Sequence, residues 1–385
     1  MMERIIYIIT TDKYPEGDAG AIRAHSFAKI FQGLGYQPIV IGLGISTSFN
    51  KMKYDGIEYY SLRYSSNNIL GKCASRLFFK KNAIKILRKN GFKRIRGAVY
   101  ISGGKGILDY LKLLNQKKNI PLYYDSVEWY SPTEFKNGER SLSYQFNDKL
   151  NNKYVDESFK VFAISTYLEK HFMMRNINVL RIPVIMDVAN IKSHKNTIGE
   201  YIKIIYAGQM GKKDQISYFI SALSKLTQEE LRLIRMYIIG MDIETYEKQF
   251  GRIPEELKNK YIFFTGRITR TEVLKHLSEA NFTMLLRSPE ERYAQAGFPT
   301  KVVESLASAT PIICNYTSDL KDYLTDGYNV VIVRDCSIEA CVEALRKAIS
   351  ISKEKQEEMR KNARKTAERY FDYRNYIDAV SGFIS

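Results

Sequence analysis

Short apolar runs recur along the chain, and each is followed by a stretch with helical spacing. Arg4-Ile-Ile-Tyr-Ile-Ile-Thr10 is the first of these runs. A strand that is apolar at successive positions has no polar face, so it predicts a strand covered on both sides, as in a parallel sheet. Ala21 to Gly35 follows with Ile22, Phe27, Ile30, Phe31 and Leu34 on one side, the pattern of an amphipathic helix. Further strands are expected at Pro38–Gly42, Gly56–Leu62, Gly97–Ser102, Pro121–Ser126 and Lys160–Ser165. Asp187 to Gly199 is polar and reads as a linker. A second series starts after it, with strands at Tyr201–Ala207, Ile234–Ile239, Tyr261–Thr265, Phe282–Leu286, Pro311–Cys314 and Val330–Val333. Strands alternating with helices predict an α/β chain with two parallel, Rossmann-like domains. The expected bounds are 1–186 and 200–365 for the domains, 187–199 for the linker, and 366–385 for a closing helix.

In such sheets ligands gather beyond the carboxyl ends of the strands. In the first half that rule exposes three patches, Ser102 to Gly106, Asp125 to Trp129 and Ser165 to Tyr167. Ordinary structural turns account for these patches equally well. In the second half Arg287 ends the fourth strand and points at the crevice, and a loop leads on to Glu304. In that loop Gly297, Phe298 and Pro299 precede Thr300 and Lys301. Pro299 suits the first turn of a helix. The N–H groups of Thr300, Lys301 and Val302 would then point outward, and a helix start beside a lysine favours an anion such as a phosphate. Glu304 lies about one turn on, where a carboxylate can accept from sugar hydroxyls. A capped helix with an incidental lysine is the competing reading of the local chemistry.

The formal net charge of +17 is unevenly placed. Residues 1–182 hold 29 Lys/Arg and 15 Asp/Glu, a net of +14, which leaves +3 for the rest. Lys72 to Arg96 carries ten basic residues and no acid. Such asymmetry points to a polyanion or an anionic membrane surface. A helix is expected over roughly Ala74–Asn90, with Phe79, Ala83, Ile86 and Leu87 on one side and Lys81, Lys85, Arg88 and Lys89 on another. It can lie on anionic lipid, or pack its apolar face inward and leave the lysines in water. Four cysteines without paired spacing suggest reduced thiols in a cytosol. Four scattered histidines and the absence of any Asp-x-Asp triplet leave no evident metal ligands. No signal peptide precedes the first strand, and no apolar run approaches the ~20 residues of a membrane span.

Gly297-Phe-Pro-Thr-Lys-Val-Val-Glu304, followed by Ala309-Thr-Pro-Ile-Ile313, resembles the donor-binding signature of the retaining GT-B glycosyltransferases of family 4. The Pro-Thr-Lys loop looks like a variant found in bacterial surface-polysaccharide enzymes. Glu304 matches the glutamate that holds the donor ribose in that family, whereas Ala296 stands where a glutamate usually contacts the hexose. The resemblance implies two Rossmann-like domains with a cleft between them and a C-terminal helix crossing back. It implies an acceptor side at Gly17, Asp18, Gly20, Arg23, Asp125, Glu128 and Trp129. Tyr206 to Asp214 resembles the family's diphosphate loop, with Gln209 at the usual Arg and Asp214 at the usual Lys. The diphosphate role therefore passes to Lys213 and Lys301, with Gly208, Lys212, Gly266, Arg267 and Arg287 around the donor. Sugar transfer from a nucleotide-sugar to a glycan or lipid-linked acceptor is the implied reaction. Neither metal nor cofactor is expected, nor nucleic acid as a partner. The expected location is cytoplasmic, on the inner face of the cell membrane, held by Lys72–Arg96. A sugar-nucleotide 2-epimerase shares the architecture but needs no acceptor. A non-catalytic membrane- or nucleic-acid-binding protein would explain the basic half but not the phosphate loop.

Overall fold

The structure, a computed structural model, describes residues 4–15, 19–44, 50–63, 69–89, 91–193, 199–208, 210–211 and 213–385. The chain divides into two compact units. The first joins Met1–Asp187 to Asp372–Ser385, and the second is Val188–Phe371. The switch back falls at Asp372 rather than at 366, because one helix, Lys353–Tyr370, runs unbroken through that position.

The first unit holds β1 (Ile5–Lys13), β2 (Gln37–Gly44), β3 (Met52–Tyr54), β4 (Ile57–Arg63), β5 (Ile95–Tyr100), β6 (Leu122–Ser126), β7 (Phe159–Ala163) and β8 (Val179–Arg181). Their order across the sheet is β3-β4-β2-β1-β5-β6-β7-β8. All neighbours are parallel except β3 and β4. Ile5 to Ile9 are at most 2% exposed, the full coverage that their unbroken apolar run requires. The short strands β3 and β8 were not expected. Met52-Lys-Tyr54 has no apolar run and is recruited to β4 by the Asp55-Gly56 turn. Both turn residues have positive φ, 44° and 81°, the backbone that a two-residue hairpin favours.

The second unit holds β9 (Ile202–Ala207), β10 (Ile234–Ile239), β11 (Ile262–Gly266), β12 (Phe282–Leu285), β13 (Ile312–Cys314) and β14 (Val330–Ile332), in the order β11-β10-β9-β12-β13-β14 and parallel throughout. Both sheets reverse their winding once, between β1 and β5 in the first and between β9 and β12 in the second. Such a reversal opens a crevice at the carboxyl ends of the strands.

The closing segment belongs to the first unit through specific contacts. Met186 pairs with Asp372, Arg374 binds the carboxylates of Asp187 and Asp372 at 3.0 and 2.9 Å, and the Phe383 ring lies 5.4 Å from Phe162. Among the described residues no helix is long and apolar enough to cross a membrane.

Candidate active site

In the second unit, the loop after β9 and the residue two places after β12 flank the reversal of the sheet. Asp214 ends that loop with its side chain turned inward, and it is 4% exposed. Its Oδ1 accepts from Arg287 Nε at 2.7 Å and its Oδ2 from Lys301 Nζ at 2.7 Å. The hydroxyl of Tyr206, on β9, donates to Oδ2 at 2.8 Å. Burial alone would raise the Asp214 pKa, but the charges of Lys301 and Arg287 outweigh it and hold the carboxyl well below its usual range. Burial and the neighbouring carboxylate push the Tyr206 phenol far up, so it stays a donor. One carboxylate thus holds two cations.

Each cation is fixed from behind. Asn315, just past β13, binds Arg287 N through Oδ1 at 3.1 Å and Arg287 O through Nδ2 at 2.7 Å. Lys301 lies at the start of the helix Thr300–Ala307, its ammonium 5.1 Å from the centre of the Tyr206 ring. Its stem crosses Gly208: a Cβ there would lie 2.3 Å from Lys301 Cε. Gly208 also has φ +146°, so a side chain is excluded on both counts. Val302, Val303, Leu306 and Ala307 bury one face of that helix, and Ser305 ties it to β12 through Thr283 at 2.6 Å. Lys301 and Glu304 remain on the other face, three residues apart.

Glu304 Oε1 accepts from Arg270 Nη1 at 2.7 Å. Arg270 opens the helix that follows Gly266 and Arg267, so this pair brings the expected base-binding turn to the expected ribose ligand. Gly266 has φ +66°, and Arg267 is exposed. Beyond β12–β14 lies a cavity of about 310 Å³, whose lining includes Ser288, Glu290, Asn315, Tyr316, Arg334 and Cys336.

Other expected residues are placed differently. Lys212 and Gln209 lie outside the described residues. Lys213 is half-buried with its ammonium 5.2 Å from the Tyr293 ring. Phe298 is only 6% exposed and packs edge-on to Tyr323 and Phe371, so it serves the core rather than a ligand. Pro299 caps the helix from outside, and Val302 N–H turns back to its carbonyl at 3.0 Å instead of pointing outward. Three residues of this site were not singled out as ligands in the sequence: Asp214, Tyr206 and Arg270. Asp214 stood out only as a departure from the family's lysine. Arg270 carried one physical signal, a cation at a helix start, which the helix dipole disfavours unless a partner is near.

In the first unit Gly17 and Asp18 lie outside the described residues. Gly20 packs on Asp12, whose carboxylate leaves no room for a Cβ. Arg23 and Asp125 do not stand open to an acceptor, being 4% and 0% exposed. The guanidinium binds Asp125 at 2.8 to 3.0 Å and donates to the carbonyls of Ile182 and Pro183. Trp129 is 8% exposed and donates to Asp148 Oδ1 at 2.9 Å. Glu128 is half-buried and bonded to the Tyr130 hydroxyl.

The basic stretch forms the helix Ile69–Lys89, whose side chains are described from Leu77 on. Phe79, Ala83, Ile86 and Leu87 pack inward at 2% exposure or less. Lys80, Lys81, Lys85, Arg88 and Lys89 face solvent. Leu77 and Phe78 stand beside them, 69% and 61% exposed.

Residues 187–366 match the family model described as glycosyl transferases group 1. An uncharacterized glycosyltransferase of Methanocaldococcus jannaschii is 22% identical over 246 residues, which cover 61% of this chain. The chain thus spans 59% of the length of that relative. The sucrose-phosphate synthase of Thermosynechococcus elongatus superposes with a TM-score of 0.76 at 13% identity, over 99% of this chain and 98% of its own. The HepE protein of Anabaena, solved with UDP-glucose, superposes with a TM-score of 0.67 at 13% identity, over 98% of both chains. The sequence match thus lies in residues 187–366, and the fold is that of the GT-B structures.

Proposed function

We propose that this glycosyltransferase moves a sugar from a nucleotide-sugar to a glycan or lipid-linked acceptor, with retention, in the making of a surface polysaccharide. One observation carries the reading. In the matched domain, Arg287 and Lys301 meet on Asp214 at the strand ends, and Lys301 opens the helix that carries Glu304. Glu304 Oε2 takes ribose hydroxyls while Arg270 holds Oε1. The two cations take the diphosphate, aided by Lys213. As the sugar leaves, negative charge grows on that diphosphate, and fixed cations stabilise it. Its own oxygen accepts the proton of the acceptor hydroxyl. Arg287, Lys301 and Lys213 fill the place that a divalent metal takes elsewhere. A relative solved with UDP-glucose supports a nucleotide-sugar as the donor class.

Thermal shifts with UDP, GDP, ADP and CDP test the donor site. One nucleotide should raise Tm, and Glu304→Ala should weaken it by about 1.5–3 kcal/mol, the range for hydrogen bonds to a charged group. No response to any of the four sinks the reading.

The basic helix serves this function by holding the protein on an anionic membrane. Each exposed cation near such a surface contributes about 1 kcal/mol, and Leu77 and Phe78 can enter the interface. Sedimentation with anionic vesicles should fall with salt. It should fall again when Lys80, Lys81, Lys85, Arg88 and Lys89 become Gln. Retention of binding in that variant removes the helix from the contact.

A further inference from the structure

We infer that Asp214 is a positioning residue of the donor site: before any donor arrives, its carboxylate sets the Lys301 ammonium and the Arg287 guanidinium side by side at the carboxyl ends of β9 and β12. The inference rests on the donor-site reading above and deepens it.

Two long cationic side chains with nothing between them would repel and spread over many rotamers. Fixing each such side chain costs conformational entropy. Asp214 meets that cost during folding. Its two oxygens take one cation each at 2.7 Å, and Tyr206 holds the carboxylate from the strand side at 2.8 Å. Gly208, with no Cβ, leaves room for the Lys301 stem. Arg287 reaches Asp214 Oδ1 through Nε at 2.7 Å, and Lys301 takes the other oxygen. A purely structural ion pair would not need two cations. One guanidinium suffices to neutralise an aspartate, as Arg23 does for Asp125.

The arrangement predicts an unusual split. Asp214→Asn removes a negative charge beside the phosphates, which favours diphosphate binding. It also frees the two cations, which harms the step in which charge grows. The nucleoside diphosphate Kd, measured by calorimetry on the full chain, should therefore stay the same or tighten. Turnover, read as nucleoside diphosphate released from the nucleotide-sugar that the wild type accepts best, should fall roughly 10- to 100-fold. Tyr206→Phe takes one bond from Asp214 without changing charge, and should show the same split at a few-fold. It decides the matter if Asp214→Asn does not fold. Unchanged turnover, or turnover and affinity lost together, overturns the inference while leaving the donor site intact. A wild type that binds no nucleoside diphosphate overturns both.

Discussion

Each unit buries an aspartate near the reversal of its sheet, and the two are finished differently. Asp125 has one cation, and the remaining bonds of that cation go to the backbone carbonyls of Ile182 and Pro183. Burial raises the Asp125 carboxyl against the pull of Arg23. Asp214 has two cations and a tyrosine, and its carboxyl is held far down. The first cluster is closed and neutral. The second sets two cations and a phenol on one carboxylate. One cation is enough to brace a buried aspartate; a second one points to a further task.

Asp125→Ala is the severest way to break this contrast. It leaves a buried guanidinium uncompensated, which costs about 3–5 kcal/mol. Chemical denaturation should show that loss, while the second unit keeps its nucleotide affinity. A loss under 1 kcal/mol would mean that the pair is not the brace it looks. Lys301→Ala probes the other cluster. Turnover should fall on the order of 100-fold, as when one preorganised donor is removed, with a smaller rise in the donor KM. Lys213→Ala should fall less, since the Lys213 ammonium stands over the Tyr293 ring whereas Lys301 is fixed at 2.7 Å on Asp214. Equal effects would return Lys213 to the centre. The smallest effect is in acid. An Asp214 pKa below the ordinary 3.8 means that the unfolded chain binds the proton more readily. The stability it adds is present above about pH 4 and is lost as pH falls below that. The stability gap between wild type and Asp214→Asn should be wider at neutral pH than near pH 3. A gap that does not change with pH would deny the depressed pKa.

The sheets were legible because buried parallel strands must be apolar on both faces, so runs such as Ile234–Ile239 announce themselves. The anchor Glu304 and the lysine beside it were legible because a helix start has local chemistry. What stayed hidden is long-range. Arg23 meets Asp125 across 102 positions and Arg287 meets Asp214 across 73. Such pairs depend on strand order, which no window of sequence contains. Asp214 was passed over for a related reason: it stands in a lysine's place, and only the fold brings Arg287 and Lys301 to it. Leu77 and Phe78 were also missed, since a helix rich in lysine gives no cue to which apolar side chains stay outside.

The crossing at Asp372 has a consequence for synthesis. The first unit is made first but completed last, since Asp372–Ser385 leaves the ribosome only after the whole second unit. Until then the face of Phe162 that meets Phe383 is uncovered, and Arg374 has not reached Asp187. A nascent chain must therefore hold an unfinished half while the other half folds. A stop codon just before Asp372 would damage the half of the protein farthest from it in sequence.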